Sequence, residues 1–174
     1  ELTEELRKKL LTDATPAVRV AAAYNRRTPA ETRATILARD TELSSRGWLA
    51  YSGSDPMLLK LLASDKEVSI RERVAQNHAC PPDVIRTLAV DPDPGVRAST
   101  VHYHGKGMPL ELLATLARDP SAGVRRAVAR HQRTPQAILE QLTSDSEQDI
   151  QQLAKETLER LRALQRPTSN PGEP

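Results

Sequence analysis

Five arginines recur along the chain, and each follows an aspartate by six residues. The arginines are Arg19, Arg46, Arg71, Arg97 and Arg125, and the aspartates are Asp13, Asp40, Asp65, Asp91 and Asp119. A guanidinium group is a rigid fork of donors that suits phosphates and carboxylates. One interpretation is a row of cations that holds phosphates. The other is structural: each arginine bonds to the aspartate, or to carbonyls at a helix end, of its own repeat unit or of a neighbouring one. The joint recurrence of Asp and Arg favours the structural interpretation.

A second row combines aromatic and polar residues. Tyr24, Tyr51, Gln76, His102 and Arg130 occupy equivalent positions in successive units, and Trp48 lies close to Tyr51 in the sequence. Aromatic rings and arginines on a surface are frequent anchors of protein interfaces. Alternatively, the tyrosine rings cover the junctions between units and keep their hydroxyls in solvent. Both interpretations remain open at this point.

The segments that connect predicted helices differ in charge. Those between the two helices of a repeat unit contain one acid, Asp55, and the basic residues Arg26, Arg27, His78, His104, Lys106, His131 and Arg133. The segments between successive units are acidic apart from Lys66. One helix-capping aspartate per unit accounts for about half of their acids. These segments are residues 13–17, 40–44, 64–68, 91–95, 119–123 and 145–149. We therefore predict a basic-to-neutral edge and an acidic edge behind a net charge of only +2. Such edges either orient a partner or are simply solvated.

The fourth unit contains a longer connection than the others. The segment 101–108 has two glycines and places His102, Tyr103, His104 and Lys106 together. It is either a partner-contact loop or a tolerated surface insertion. Metal binding is disfavoured, because side chains at i and i+2 do not share a helix face. The candidate partner-binding residues are thus Tyr24, Arg26, Arg27, Trp48, Tyr51, His102, Tyr103, His104, Lys106, Arg130 and Arg133.

No residue pattern in the chain indicates catalysis. A Gly-rich phosphate loop, a nucleophile beside a paired base and a carboxylate pair are all absent from the sequence. The single cysteine, Cys80, stands where other units have Thr, Asp or Met, so we interpret it as a loop substitute in a cap-like position. We predict that the protein is not an enzyme and uses no cofactor or metal.

These side chains are positioned by an internal repeat. Asp13, Asp40, Asp65, Asp91, Asp119 and Asp145 are 27, 25, 26, 28 and 26 residues apart, and only the last unit replaces the arginine, by Gln151. Each unit predicts two short helices. The first begins at pairs such as Asp93–Pro94 and Asp119–Pro120, and the second at Thr28–Pro29, Asp55–Pro56 and Thr134–Pro135. Thr28 and Glu31 fit a capping box.

Composition favours the same architecture. Phe is absent, Trp and Tyr total four, and 13 prolines exclude long uninterrupted helices. Neither helix of a unit could bury its apolar stripe alone, so units must stack. We predict an all-α solenoid of five to six two-helix repeats of 25–28 residues in one domain, 1–165. Residues 1–12 form an N-terminal cap, 13–145 the repeats, 146–165 a capping helix, and 166–174 a disordered tail. No membrane span or signal peptide is visible, which favours a cytoplasmic protein.

The repeat resembles the leucine-rich repeat variant family, a bacterial relative of HEAT repeats in architecture. The pattern Leu-Ala-x-Asp-x-x-x-x-Val-Arg-x-x-Val-Ala-x-Asn, followed by Thr-Pro, is matched best from Leu116 to Pro135 and from Leu62 to Asn77. The resemblance covers residues 11–145. It implies a right-handed superhelix whose second helices are short or 3₁₀. One described member carries an iron–sulfur domain, but the cysteine cluster for it is missing here.

For function, the resemblance implies a protein-interaction module. We predict a non-catalytic scaffold or adaptor that binds a protein partner on one face or edge of the solenoid. The alternative is nucleic-acid binding, as in the HEAT-like alkylpurine DNA glycosylases, which hold a duplex in a concave face. Abundant arginine favours this alternative, whereas the near-zero net charge disfavours it.

Overall fold

The computed structural model describes residues 3–25, 27–131 and 133–165, apart from the side chains of Lys106, Leu164 and Gln165. Arg26 and the predicted tail 166–174 lie outside the described residues. Within this part the chain forms twelve α-helices, a 3₁₀ turn at Gly105–Gly107 and no strand. The helices are α1 Glu4–Leu11, α2 Pro16–Ala23, α3 Ala30–Asp40, α4 Leu43–Ser52, α5 Pro56–Leu62, α6 Val68–Ala75, α7 Pro82–Leu88, α8 Pro94–His104, α9 Leu110–Leu116, α10 Ala122–Arg130, α11 Gln136–Leu142 and α12 Gln148–Gln165.

The helices alternate between two layers, as expected for a helical repeat solenoid. The first helices of the units are α2, α4, α6, α8, α10 and α12, and the second helices are α3, α5, α7, α9 and α11. From α4 to α12, each first helix packs against the next first helix. The short second helices α5, α7 and α11 pack against the first helices that precede and follow them in the chain. Helix α9 packs against the first helix that follows it, α10. The first helices from α4 to α12 therefore form a continuous layer.

Small and aliphatic side chains fill the core between these layers. Five of the six units contribute an apolar anchor followed four or five residues later by a small residue, and the second unit has Ser45 at the anchor position. In the fifth unit Val124, Val128 and Ala129 are fully buried. From the second helices come leucines such as Leu88 and Leu139. No aromatic residue is buried in the described residues. The close stacking of short helices explains this composition, because a ring would separate neighbouring units.

Several predicted helix starts are wrong in detail. Asp55 and Asp93 do cap their helices, since each accepts two backbone N–H groups. Thr28, however, donates its hydroxyl to the Ala22 carbonyl at 3.0 Å, and Thr134 likewise donates to Val128 at 2.7 Å. Helices α3 and α11 therefore begin after the proline, and the capping box does not form. The second helices are also α-helical rather than 3₁₀.

Candidate interaction surface

The five recurring arginines, which we call the arginine ladder, join successive units. Each Nε donates to a carboxylate oxygen of the next unit's aspartate at 2.7–2.9 Å, in the pairs Arg19–Asp40, Arg46–Asp65, Arg71–Asp91, Arg97–Asp119 and Arg125–Asp145. In the last three pairs Nη2 makes a second bond to the other oxygen. Side-chain exposure is 11–15% for the arginines and 5–9% for the aspartates, so the pairs are largely shielded from water.

The same guanidinium groups also bond within their own unit. Nη1 of Arg71, for example, donates to the carbonyl of Asp65 at 2.9 Å, and Nη1 of Arg97 donates to that of Asp91 at 2.7 Å. In the last unit Gln151 donates its Nε2 to the Asp145 carbonyl at 2.6 Å. Glutamine thus satisfies the carbonyl, and no described repeat follows that would supply a carboxylate. These bonds leave the ladder arginines little capacity to hold a phosphate.

The ladder lowers the pKa of three of its aspartates, Asp40, Asp119 and Asp145. Hydrogen bonds from Arg19 and then Arg39 lower the pKa of Asp40 far below its usual range. The bond from Arg125 lowers the pKa of Asp145. Burial opposes the change at Asp119, but the bonds from Arg97 and the Ser121 N–H still lower its pKa. These three carboxylates are therefore charged at neutral pH and are paired with cations.

This pairing corrects the predicted acidic edge. The repeating aspartates are not the helix caps: Asp119, for instance, accepts the N–H of Ser121, and Ser121 is the capping residue of α10. Five of the six are neutralised by the ladder. Within the described residues, the edge retains five acids without an ion pair, namely Asp13, Glu42, Glu67, Asp93 and Glu147. The edge is acidic, but less so than the sequence count suggests.

A second set of bonds joins the units at the opposite ends of the first helices. The Asn77 amide donates to the carbonyls of Ala50 and Gly53 in the preceding unit, both at 2.8 Å. The Thr157 hydroxyl donates to Ala129 at 2.9 Å in the same way. These donors were missed in the sequence, although the asparagine of the repeat pattern marks one of them. Both ends of the first-helix layer are thus held by polar bonds between units.

All four Trp and Tyr residues of the chain are exposed, three of them on first helices and Tyr24 directly after α2. The exposed fractions are 60% for Tyr24, 65% for Trp48, 54% for Tyr51 and 41% for Tyr103. His102 and Arg130 are exposed on the same layer, and Gln76 is half-buried. The Tyr103 ring meets His102 edge-on, with 4.8 Å between ring centroids, and approaches His78 at 6.2 Å. We call the solvent-exposed side of the first helices the aromatic face.

Two grooves cross the aromatic face between adjacent first helices. One, of about 350 Å³, lies between α4 and α6 and is lined by Leu43, Trp48, Tyr51, Ile70 and Arg73 among others. The second, of about 360 Å³, lies between α8 and α10 and has small residues and the side chains of His102, Tyr103, Arg126 and Arg130 in its walls. The structure thus brings five of the predicted contact residues together around these two grooves.

A wider concavity lies near the N-terminus, but its cations are already bonded. It measures about 690 Å³ and is lined by residues of α1, α2 and α3, including Arg19 and Arg39. Both arginines donate to Asp40, so each already has a carboxylate partner. We do not regard this concavity as the candidate site.

Comparison with known families identifies one of these units. Residues 122–147 match the family model described as leucine rich repeat variant. The matched stretch begins at α10 and ends beyond Asp145, so it contains both partners of the Arg125–Asp145 pair. The chain contains a leucine rich repeat variant unit. No curated protein and no solved structure gave a significant match.

The remaining predicted contact residues are exposed, buried or outside the described residues. Arg27 and Arg133 are exposed in the connections from a first to a second helix. Arg26 and the side chain of Lys106 lie outside the described residues. His104 is buried, with 8% of its surface exposed, and so it is not a surface contact.

The burial of His104 has a structural reason. Helix α8 is longer than α6, and its last residue, His104, turns into the stack and bonds to the backbone of Ala75 in the preceding repeat. Its other ring nitrogen, Nε2, is the one buried side-chain nitrogen or oxygen without a partner in the described residues. Burial lowers the pKa of His104. The histidine replaces the repeat's asparagine rather than presenting a surface.

The glycine of the inserted segment permits a close approach between repeats. A Cβ atom built on Gly105 would lie 2.5 Å from Nε2 of His131, so a side chain there would require the histidine ring to move. Gly107, in contrast, has no atom within 4 Å of such a Cβ. The insertion is therefore packed against the matched repeat at Gly105 and open to solvent at Gly107.

Cys80 and the acidic groups provide no site for a metal or a nucleophile in these repeats. Burial raises the pKa of the Cys80 thiol to about 12, so it is protonated at neutral pH. Within the described residues, no group of three or more His, Cys, Asp or Glu side chains is placed to hold a metal ion. None of the described helices is both long enough and apolar enough to cross a bilayer.

Proposed function

We propose that the protein is a non-catalytic binding module that holds a protein partner on its aromatic face. Repeats of this family are generally involved in protein–protein interaction. The single observation that carries the proposal is the exposure of all four Trp and Tyr rings, on first helices or directly after one, while the core contains none. Aromatic side chains release much free energy when they are buried, so their placement in solvent suits a surface that becomes covered.

The charge of the aromatic face favours a protein over a nucleic acid. Arg73, Arg126 and Arg130 are accompanied on the first helices by Glu72 and Asp149, and Asp149 pairs with Arg126. Binding to a phosphate backbone needs several uncompensated cations, because the affinity comes from counterion release. The ladder arginines do not add to this count, since they bond to aspartates. The face therefore suits a protein better than a nucleic acid, and the experiment must distinguish the two kinds of partner.

The proposal is tested by affinity capture with the purified chain as bait. We expect a partner protein to be retained by the wild type and to be reduced about tenfold or more by Trp48→Ala with Tyr51→Ala, since loss of an interface anchor costs about 2 kcal/mol. The matched control is Leu110→Ala, which removes an equally exposed apolar side chain from a second helix. Equal recovery with all three baits would contradict the proposal. Salt-sensitive binding of a labelled duplex, lost in Arg73→Gln, would support the alternative instead.

A further inference from the structure

Resting on this proposed function, we propose that the aromatic face binds an extended peptide segment of its partner. The segment carries an apolar side chain for the groove between α4 and α6. It also carries one acidic side chain beside this anchor for Arg73, and a second about six residues further along for Arg130 at the groove between α8 and α10.

The groove between α4 and α6 fits an apolar side chain. Ile70 is buried and forms part of the groove wall, while Trp48 and Leu43 are 65% and 49% exposed. The volume of about 350 Å³ exceeds that of one leucine or phenylalanine side chain. Covering exposed apolar surface of this kind contributes about 25 cal/mol per Å², so this groove supplies the anchor.

The wall of that groove also presents a cation. A Cβ atom built on Gly47 would lie 3.3 Å from Cδ and Nε of Arg73, so the arginine side chain extends from α6 across α4. Gly47 makes this approach possible because it has no side chain. Within the described residues Arg73 is exposed and has no ion-pair partner. Its guanidinium group is therefore available to a carboxylate of the ligand beside the apolar anchor.

The groove between α8 and α10 presents a second such cation. Its floor consists of small residues, Ala98, Ser99, Gly123 and Ala127, which let a backbone approach closely. Arg126 is paired with Asp149, whereas Arg130 is exposed and without an ion-pair partner in the described residues. His102 also lines this groove. This end of the face therefore complements an acidic group rather than a basic one.

The repeat sets the distance between the two ends. Packed helix axes are about 8–10 Å apart, and the two grooves are two helix steps apart along the layer, which gives about 20 Å. An extended chain advances about 3.3 Å per residue, so about six residues span this distance. A second copy of this chain does not offer the same fit through its own aromatic face, because that face would bring Arg73 and Arg130 against like charges.

The experiment uses the full chain and synthetic peptides of about 14 residues, with fluorescence anisotropy as the readout at about 50 mM salt. The probe peptide is Gly- and Ser-based and carries two leucines next to one glutamate, with a second glutamate about six residues later. Matched peptides place the second glutamate about two or about ten residues away, or replace both glutamates by lysines. We expect the six-residue peptide to bind at least about fivefold tighter than the lysine peptide, which loses two partly exposed ion pairs, and about twofold tighter than the peptides that lose one.

Variants assign the two ends separately. Trp48→Ala should weaken every leucine-containing peptide, whereas Arg73→Gln with Arg130→Gln should abolish the preference for glutamate over lysine. The matched controls are Leu110→Ala and Arg86→Gln, which change exposed residues of the second helices α9 and α7. Both controls should leave the affinities unchanged.

Three results would overturn the inference. The first is equal binding of the glutamate and lysine peptides, and the second is no binding of any peptide. The third is concentration-dependent dimerisation in sedimentation that Trp48→Ala abolishes, because a second copy would then cover the face. If a folded partner is captured in a Trp48-dependent way while no peptide binds, this inference fails but the proposed function stands. If Trp48→Ala affects neither capture nor peptides, both fail.

Discussion

Arg97 and Asp119 are 22 residues apart in the chain, yet they form a two-bond ion pair between neighbouring repeats. Nε and Nη2 of the arginine donate to the two carboxylate oxygens at 2.7 and 2.8 Å. Nη1 donates at the same time to the carbonyl of Asp91 at 2.7 Å. One guanidinium group therefore joins the start of its own first helix to the start of the next one.

Replacement of Arg97 by methionine should destabilise the whole array. The change leaves the Asp119 carboxylate and the Asp91 carbonyl without their largely buried donor, and we expect a loss of about 2 kcal/mol in the free energy of unfolding. Urea unfolding followed by circular dichroism measures it. Arg86→Met, an exposed arginine on α7, is the control and should change stability by less than about 0.5 kcal/mol. Similar stabilities for both variants would exclude a structural role for Arg97.

The last repeat allows a reciprocal exchange of Arg and Gln. Arg125→Gln should cost stability because Asp145 loses both of its bonds to the guanidinium group. Gln151→Arg should be within about 0.5 kcal/mol of the wild type, since the carbonyl bond can be kept and no described aspartate follows. Thermal unfolding of both variants tests this. Equal losses of thermal stability in the two variants would show that Arg125 does not stabilise the fold through its bond to the next repeat.

Acid should unfold the protein through the ladder aspartates. The pKa values of Asp40, Asp119 and Asp145 are lowered in the fold, so these groups bind protons more readily in the unfolded chain. Their contribution is complete above pH about 4, and it is lost as the pH falls through their folded pKa values. We expect the urea midpoint to fall from pH 5 to pH 3. Asp145→Asn should reduce this dependence, while Asp83→Asn, which alters an exposed pair with Lys60, should not.

His104 should produce a separate pH dependence near neutrality. Burial lowers its pKa in the fold, so the unfolded chain takes up the proton first as the pH falls below about 6.5. Stability due to neutral His104 is present above that pH and is lost below it. His104→Asn should flatten the dependence between about pH 7 and 5.5, because an amide can bond to Ala75 as Asn77 does to Ala50. His102→Asn changes an exposed ring and should leave the dependence as it is.

Much of this architecture was predictable because each repeat is specified locally. The recurrence of Asp, Arg and apolar anchors at 25 to 28 residues identifies the units, and Asp55 and Asp93 cap helices as their sequence context indicates. Thr28 and Thr134 could not be assigned in this way. A hydroxyl before a proline has two partners within reach, the following N–H groups and a carbonyl six residues earlier. The position of the preceding helix end decides between them.

The sequence by itself determined the repeat, its two helices and the residue types of the ladder, because helix periodicity and capping depend on residues a few positions apart. Only the tertiary structure decided that Arg97 bonds to the aspartate of the next unit, that His104 is buried, and that the two grooves lie along one face. Each of these depends on how far one first helix is displaced and rotated against the next. That geometry follows from the packing of Ala, Val and Leu side chains across the layers, which is a property of the stacked units and not of any single one.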